Sequence, residues 1–148
     1  MTPRDLDLTD DPTARAAHEV VRAAYRVEAD LIGTDAIPAL HETLDRMRAL
    51  PLHWLGIADP PVAVLAWTHD DGAVDIDRLC VHPDAFRRGH ATALLHHLLD
   101  TTTGPVTVST AEANTPATTL YRRHGFTPTR RFEPEPGLTV VAFRLQRG

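Results

Sequence analysis

The sequence predicts a mixed α/β (α+β) fold, in which a mostly antiparallel sheet contains one parallel pair of strands. The apolar periodicity along the chain alternates between strand and helix patterns and gives the order β-α-α-β-β-β-α-β-α-β-β. Asp70-Asp71-Gly72 is a hairpin signal inside an antiparallel meander. A strand, a helix and a further strand span residues 73–110, and such a crossover makes its two strands parallel.

The first half of the chain predicts one strand and two helices before the meander. Residues 4–9 alternate apolar and polar side chains, as a strand does. Asp10 or Asp11 is placed to cap the next helix, with Pro12 in its first turn. The apolar stripe of that helix is Ala17, Val20, Val21 and Ala24. Residues 28–35 contain Gly33 and predict a loop. The second amphipathic helix carries Ile37, Leu40, Leu44 and Met47 and ends near Pro51.

The second half predicts the meander, the crossover and a final pair of strands. The meander strands are residues 53–58, 62–69 and 73–81. The next helix has an apolar stripe formed by Ala91, Leu94, Leu95 and Leu98. A β-branched strand at 106–110 and a helix at 115–124 follow, and Gly125 occupies the helix C-terminus, where a left-handed residue is expected. The last two strands are residues 126–132 and 138–145.

Length and composition predict one cytoplasmic domain over residues 1–148. The hydrophobic content is 43% and the charged content 24%, which is ordinary for a globular protein. No apolar run approaches the roughly 18 residues of a membrane span, and the acidic N-terminus lacks the apolar region of a signal peptide. A formal net charge of −5 argues against general nucleic-acid binding, because neutralising phosphates needs a basic surface.

Two kinds of chemistry find no support in the sequence. The nine histidines show neither an HExxH motif nor cysteine and histidine at zinc spacing, so we expect no metal site. All 15 basic residues are arginine, which excludes a lysine nucleophile or Schiff base.

The stretch LCVHPDAFRRGHATALL, residues 79–95, places Arg87, Arg88 and Gly89 between a strand and a helix. Helix N-termini expose unpaired N–H groups and partial positive charge, which suit a pyrophosphate. Gly89 would allow close approach of a ligand, and the arginines would add charge-assisted contacts. Taken alone, such a junction is more often a solvated connection.

Residues 114–126 help to decide whether this junction is a solvated connection or a site for phosphate groups. Asn114, Ala117, Leu120, Tyr121, Gly125 and Phe126 match the pattern N-x-x-A-x-x-L-Y-x-x-x-G-F. The chain here resembles the GNAT superfamily of Gcn5-related N-acetyltransferases. The loop resembles the family's acetyl-CoA motif, R/Q-x-x-G-x-G/A, at Gly89 and Ala91, whereas Phe86 stands where that motif begins with Arg or Gln.

The resemblance implies a sheet of six to seven strands flanked by about four helices, with the parallel strands splayed to admit acetyl-CoA as cosubstrate. Backbone groups of Leu79, Cys80 and Val81 would face its pantetheine arm, as an added strand would. The residues expected to hold the pyrophosphate are Arg87, Arg88, Gly89, His90, Ala91 and Thr92. Asn114 would bind the cosubstrate or cap its helix.

The same resemblance implies roles in acetyl transfer to an amine. Tyr121 aligns with the family's usual general acid for the departing thiolate. Asp75 and Asp77 lie on the strand where family members often carry a general base, and in a regular strand both point to one face. A solvated sheet face is the competing explanation for them. Glu112 is a third carboxylate that could take the proton.

The function implied is that of an N-acetyltransferase, which transfers the acetyl group to a primary amine by direct attack in a ternary complex. The resemblance places the acceptor site mainly at the first two helices and their loop, here residues 27–39. Glu28, Asp30 and Asp35 make that loop acidic, which favours a small cationic amine slightly over a protein N-terminus, and an acidic solvated loop is an equally ordinary explanation. Neither a nucleic-acid nor a membrane partner is expected, and homodimers are common in the family. The alternative is a non-catalytic domain that binds or senses acyl-CoA, which the Phe86 departure leaves open.

Overall fold

The computed structural model describes residues 2–148, and Met1 of the predicted domain lies outside the described residues. The described residues form a seven-stranded sheet in the order β1-β2-β3-β4-β5-β7-β6. The strands are β1 Arg4–Leu6, β2 His53–Ile57, β3 Ala63–Asp70, β4 Ala73–Val81, β5 Val106–Ala111, β6 Thr127–Glu135 and β7 Leu138–Leu145. The helices are α1 Asp11–Ile32, α2 Leu44–Ala49, α3 His90–Thr101 and α4 Thr115–Arg123, with 3-10 turns at Pro38–His41 and Pro83–Ala85. The predicted fold class is confirmed. None of the helices in residues 2–148 is long and apolar enough to cross a bilayer.

Strands β4 and β5 form the parallel pair, and they stay together over a short distance only. Three residue pairs join Val74–Ile76 to Val106–Val108. Beyond these pairs β4 continues to Val81 along β3, and β5 continues to Ala111 along β7. The sheet therefore opens between the carboxyl ends of β4 and β5.

A hydrophobic core lies on each face of the sheet. The cluster on the face covered by α3 and α4 includes Leu94, Leu98, Val106, Tyr121 and Phe143. The cluster on the face covered by α1 includes Ala17, Val21, Met47, Trp54 and Cys80. Both faces are buried, so the open seam lies between two helical layers.

A β-bulge in β4 shifts the alternation of its side chains. Ala66 pairs with Arg78 and Trp67 pairs with Ile76, so Asp77 is the extra residue. Before the bulge, Ile76 packs in the cluster under α3. After the bulge, even-numbered side chains change sides, and Cys80 packs in the cluster under α1.

The predicted loop at residues 28–35 is wrong in its first part, because α1 runs to Ile32. No proline or glycine interrupts the chain between Pro12 and Gly33, and Gly33 ends the helix in the left-handed region at φ 78°. The cap predicted at the other end is confirmed, since the Asp10 side chain accepts a hydrogen bond from the backbone N–H of Thr13.

The predicted second helix is divided into two pieces. A 3-10 turn spans Pro38–His41, and α2 spans Leu44–Ala49. Glu42 is extended between them, and Thr43 caps α2 by accepting a hydrogen bond from the N–H of Arg46. The cap starts a new helix where the apolar spacing alone suggests a continuous one.

Candidate active site

A cavity of about 840 Å³ fills the opening between β4 and β5. Its walls come from the second half of α1, the end of β4, the loop before α3 and its first turn, the end of β5, and α4. These elements are distant in sequence, so the tertiary fold assembles the cavity.

One end of the cavity, which we call the phosphate end, is formed by Arg87 and residues 89–92. Gly89, at φ 77°, precedes α3, whose first turn has neither a side-chain cap nor an acidic residue within the described part of the chain. The backbone N–H groups in the first turn of α3 therefore remain available to an anion. Arg87 lines the cavity and Arg88 does not, which separates two residues that the sequence treats as equivalent.

The loop before α3 has unusual backbone geometry. Arg87 adopts φ 64°, a left-handed conformation that is uncommon for a residue other than glycine. Phe86 is 43% exposed and lies in the cavity wall, as does Leu31 of α1, which is 52% exposed. The position where the motif has Arg or Gln therefore carries an apolar ring at the cavity, and the nearest cation in sequence is Arg87.

The end of β4 forms a second wall of the cavity through Leu79, Cys80 and Val81. Along this stretch β4 pairs with β3, while its opposite edge lies beyond the last pair with β5. Burial raises the pKa of the Cys80 thiol to about 12, so the thiol stays protonated near neutral pH and is a poor nucleophile.

Tyr121 of α4 packs in the cluster on the face covered by α3 and α4, and it lines the cavity. It is 3% exposed and packs edge-on against Phe126, with ring centroids 5.4 Å apart. Burial is the main reason that the pKa of its hydroxyl is raised well above the ordinary value. The hydroxyl therefore keeps its proton near neutral pH, as a proton donor must.

Asn114 performs two structural tasks at the start of α4. Its side-chain oxygen accepts a hydrogen bond from the N–H of Ala117 at 3.2 Å, so it is the N-cap. Its amide nitrogen donates to the Glu28 carboxylate at 2.5 Å. Asn114 thus ties α4 to α1 across the cavity that it also lines.

The two aspartates of β4 take different positions. Asp77 lines the cavity, and its carboxylate accepts a hydrogen bond from Arg78 Nε at 2.7 Å. Asp75 lies outside the cavity wall and accepts a hydrogen bond from the Thr107 hydroxyl at 2.6 Å. Burial raises the pKa of Asp75. The bulge at Asp77 interrupts the regular alternation on which a shared face of these two residues depends.

Glu112, the third candidate carboxylate, lies just beyond β5 and outside the cavity wall. It forms an ion pair with Arg131 of β6. The hydrogen bond with Arg131 lowers the pKa of Glu112, so this carboxylate is a weaker base than an unpaired one.

The structure adds Tyr25 of α1 to the site, and it places Glu28, which the sequence suggests only as one acidic residue of a loop, on the same helix. Both line the cavity. Burial raises the pKa of the Glu28 carboxylate, and the hydrogen bond from Asn114 offsets part of this effect. A helical continuation of the Val21 stripe at i+4 and i+7 reaches both residues, so the signal is present in the sequence, but the predicted loop hides it.

A buried arginine organises the end of the cavity that includes Glu28 and Asp77, which we call the acidic end. Arg78 is 6% exposed and donates to Glu42 at 2.6 and 3.3 Å as well as to Asp77. Burial alone would lower the pKa of Arg78, but the hydrogen bonds with Glu42 raise it above the usual value. The two carboxylates that bind Arg78, together with Glu28, leave this end with a net negative charge.

The fold is shared with solved acetyltransferases. The ribosomal-protein-S18-alanine N-acetyltransferase from Escherichia coli superposes with a TM-score of 0.75 at 19% identity, covering 99% of this chain and 94% of that one. YncA from Salmonella typhimurium, solved with acetyl-CoA, gives 0.72 at 19% identity, with 99% and 93% covered. PaiA N-acetyltransferase from Thermoplasma acidophilum, in complex with coenzyme A, gives 0.72 at 13% identity, with 99% and 98% covered.

Comparison of the sequence itself gives one relative and one family match. The chain is 35% identical over 136 residues to the UPF0157 protein YqkA of Bacillus subtilis, and the match covers 89% of the chain. The chain spans about 40% of the length of that relative. A sequence model described as an acetyltransferase (GNAT) domain matches residues 53–128, which is more than half of the chain. The chain therefore belongs to the GNAT family of acetyltransferases.

Proposed function

We propose that the protein transfers an acetyl group from acetyl-CoA to a primary amine, by direct attack of the amine in a ternary complex. The observation that carries this proposal is one cavity with two unlike ends. An anion-binding helix start lies at one end, carboxylates lie at the other, and the protonated Tyr121 lines the same cavity. A donor that carries phosphates and an acceptor that carries positive charge would meet inside it.

The cavity fits the donor in size and chemistry. Its volume of about 840 Å³ lies within the range of small-molecule sites. Arg87 and the backbone N–H groups of residues 89–92 would hold the phosphates. Residues 79–81 would hold the pantetheine arm along the free edge of β4. When bound, acetyl-CoA supplies an activated acetyl thioester.

Within this proposal, Tyr121 donates its hydroxyl proton to the departing sulfur. The backbone N–H near Val81 stabilises negative charge on the acetyl oxygen during attack. The acceptor needs a proton acceptor as well, because an ammonium has no lone pair. Cys80 has no covalent role in this scheme, since its burial keeps the thiol protonated.

Two carboxylates in the cavity wall can take the proton of the amine. Asp77 is the one predicted from the sequence, and its carboxylate is engaged by Arg78. Glu28 faces the same cavity, and burial raises its pKa, which makes it a stronger base than an ordinary carboxylate. We assign the transfer to Glu28 and give Asp77 the role of attracting the cationic acceptor. Asp75 stays a prediction, and its place outside the wall does not support it.

The acidic end favours a small cationic amine as acceptor. Glu28, Glu42 and Asp77 carry carboxylates there, against the single positive charge of Arg78. A cationic amine is attracted to such a surface before it loses its proton. This charge is the support for ranking a small amine above a protein N-terminus.

The test is release of free CoA thiol from acetyl-CoA in the presence of a panel of primary amines. Wild-type protein should turn over at least one amine. Tyr121→Phe keeps the packing ring and should lower kcat by about 100-fold or more, with acetyl-CoA affinity unchanged. Thr129→Val is the control, because it removes a hydroxyl from an exposed position of β6 that lies outside both cavity linings, and it should keep kcat near the wild-type value.

Two results would contradict the proposal in different ways. An unchanged kcat in Tyr121→Phe would remove the assignment of the acid. Tight acetyl-CoA binding without turnover of any amine would instead support a non-catalytic acyl-CoA-binding domain. The exposed ring of Phe86 in the cavity wall is the feature consistent with that second function.

A further inference from the structure

A second cavity, of about 270 Å³, adjoins the first one and differs from it in chemistry. Its distinctive walls are apolar and come from the turn after α1 and from the β6–β7 hairpin. The side chains that form them are Ile37, Pro38, Phe132, Pro134, Leu138 and Val140. We call this space the side cavity.

The side cavity adjoins the larger one and shares four lining residues with it. Both are lined by Tyr25 and Glu28 of α1 and by Ser109 and Thr110 of β5. A molecule in the side cavity would therefore lie against the Glu28 carboxylate, which also faces the larger cavity. With acetyl-CoA along the free edge of β4 and at the phosphate end, the side cavity offers the acceptor a separate route to the acetyl group.

Glu28 is the only charged side chain in the walls of the side cavity, among the residues that the structure describes. One of its carboxylate oxygens accepts the Asn114 amide, and a carboxylate has lone pairs for further donors. A single ammonium group can thus be bound at the junction, while the rest of the space offers apolar contact.

We infer that the acceptor is a primary amine on a compact apolar group, with its ammonium on Glu28 and its apolar group in the side cavity. This inference rests on the proposed function and specifies its substrate. The volume of about 270 Å³ lies just below the range of about 300–1,000 Å³ that is usual for small-molecule sites, so it suits a small substituent. A branched aliphatic or single-ring substituent fits this space.

Two other classes of amine fit the walls less well. A diamine or polyamine would place a second ammonium among Phe132, Leu138 and Val140, where the described walls offer it no carboxylate. Burying an unpaired charge is costly. A hydrophilic amino sugar would leave several hydroxyl groups without partners against the same side chains. The walls therefore select by rejecting polar groups as well as by binding apolar ones.

The experiment compares isopentylamine with 1,4-diaminobutane, two amines of similar size, by CoA thiol release. Wild-type protein should prefer isopentylamine by about tenfold or more in kcat/KM, as expected for an apolar pocket. Phe132→Ala should remove most of this preference by raising KM for isopentylamine, and a preference that survives this change would overturn the inference. Glu133→Ala is the matched control, because Glu133 is the neighbouring residue on β6, exposed and outside both cavities.

A binding measurement separates failure of the inference from failure of the proposed function. Isopentylamine is titrated into CoA-bound protein while the methyl NMR signals of Leu138 and Val140 are followed. Shifts in wild type that are lost in Phe132→Ala, without turnover of any amine, would support the side cavity and overturn the proposed function. Turnover that favours 1,4-diaminobutane, or that shows no preference, would overturn the inference alone. Neither turnover nor shifts would overturn both.

Discussion

The two ends of the main cavity obtain their charge in opposite ways. The phosphate end relies on the backbone of residues 89–92 and on Arg87, which is exposed. The acidic end relies on side chains that are bonded to one another, with the buried Arg78 held by the largely buried Glu42 and by the more exposed Asp77. A surface cation and a helix start are built by local sequence, whereas a buried ionic cluster must be assembled from several elements.

Each end should therefore be sensitive to a different kind of substitution. Substitutions at the phosphate end should mainly weaken binding, because exposed charges contribute little to stability. Substitutions at the acidic end should affect stability first, because each buried charge depends on a partner. Substitutions at four places test this contrast, and they are ordered by the size of the expected effect.

Arg78→Met should give the largest change. It leaves Glu42 and Asp77 without their cation, and breaking such a buried pair costs about 3–5 kcal/mol. Urea denaturation should show this loss in the free energy of unfolding, while Arg22→Met, on the exposed face of α1, should stay within about 0.5 kcal/mol of wild type. A loss below about 1 kcal/mol for Arg78→Met would mean that the cluster does not hold this end together.

Arg87→Ala and Arg88→Ala separate two neighbouring cations. Arg87 lines the cavity and Arg88 does not. A hydrogen bond to a charged group contributes about 1.5–3 kcal/mol, so Arg87→Ala should raise the Kd for acetyl-CoA by roughly tenfold or more. Arg88→Ala should change it by less than about threefold. Calorimetric titration measures both, and equal effects would show that the loop moves when the cosubstrate binds.

Gly89→Ala tests the backbone conformation of the phosphate end. At φ 77° a side chain is strained, although no atom lies within 4 Å of the position that a Cβ would take. The left-handed conformation costs about 1–2 kcal/mol for most residues, and thermal unfolding should detect this loss. Gly89→Asn is the control, since Asn tolerates the left-handed region better, and it should recover part of the stability. Equal losses for both variants would contradict a conformational cause.

Glu28→Gln should give a small change in stability, with a size that depends on pH. The pKa of Glu28 is raised by burial, so the ionised carboxylate is penalised in the folded state, and stability rises as pH falls through that pKa. Gln lacks the charge and still accepts the Asn114 hydrogen bond. In urea denaturation the variant should therefore be more stable than wild type near pH 7, with a difference that shrinks on acidification.

The activity of Glu28→Gln completes this prediction. If Glu28 takes the proton of the amine, kcat/KM of the wild type rises with pH through the raised pKa of Glu28. This rise in the pH profile should be absent in Glu28→Gln and present in Asp77→Asn. The reverse pattern would assign the transfer to Asp77. Glu133→Gln, which changes an exposed carboxylate on β6, serves as the control for stability.

Much of the fold follows from local patterns. The bounds of β4 and β7 agree with the sequence prediction because a hairpin signal or turn fixes one end of each strand. The start of α3 after Gly89 and the cap at Asn114 are also local features. These features explain why the sequence finds residues of the loop before α3 that line the cavity, apart from the choice between Arg87 and Arg88, while their role in holding phosphate stays a prediction.

The acidic end could not be predicted in the same way. Glu28 lies 86 residues from its partner Asn114, and Glu42 lies 36 residues from Arg78. The periodicity of apolar residues does not show which residues this far apart in the chain lie close together in space. The bulge at Asp77 adds a second difficulty, because it changes which side chains of β4 share a face. The early end predicted for α1 also obscures Glu28.

The short pairing of β4 with β5 also has a mechanical consequence. Within residues 2–148, three residue pairs make up the ladder between a four-stranded and a three-stranded half of the sheet. Each half has longer ladders within itself, so bending should concentrate at the three β4–β5 pairs, which form a narrow neck in the sheet. Bending at this neck would widen the cavity between β4 and β5 while the other strand pairs keep their hydrogen bonds. Amide hydrogens of β4 and β5 near the neck are then expected to exchange faster than those between β3 and β4.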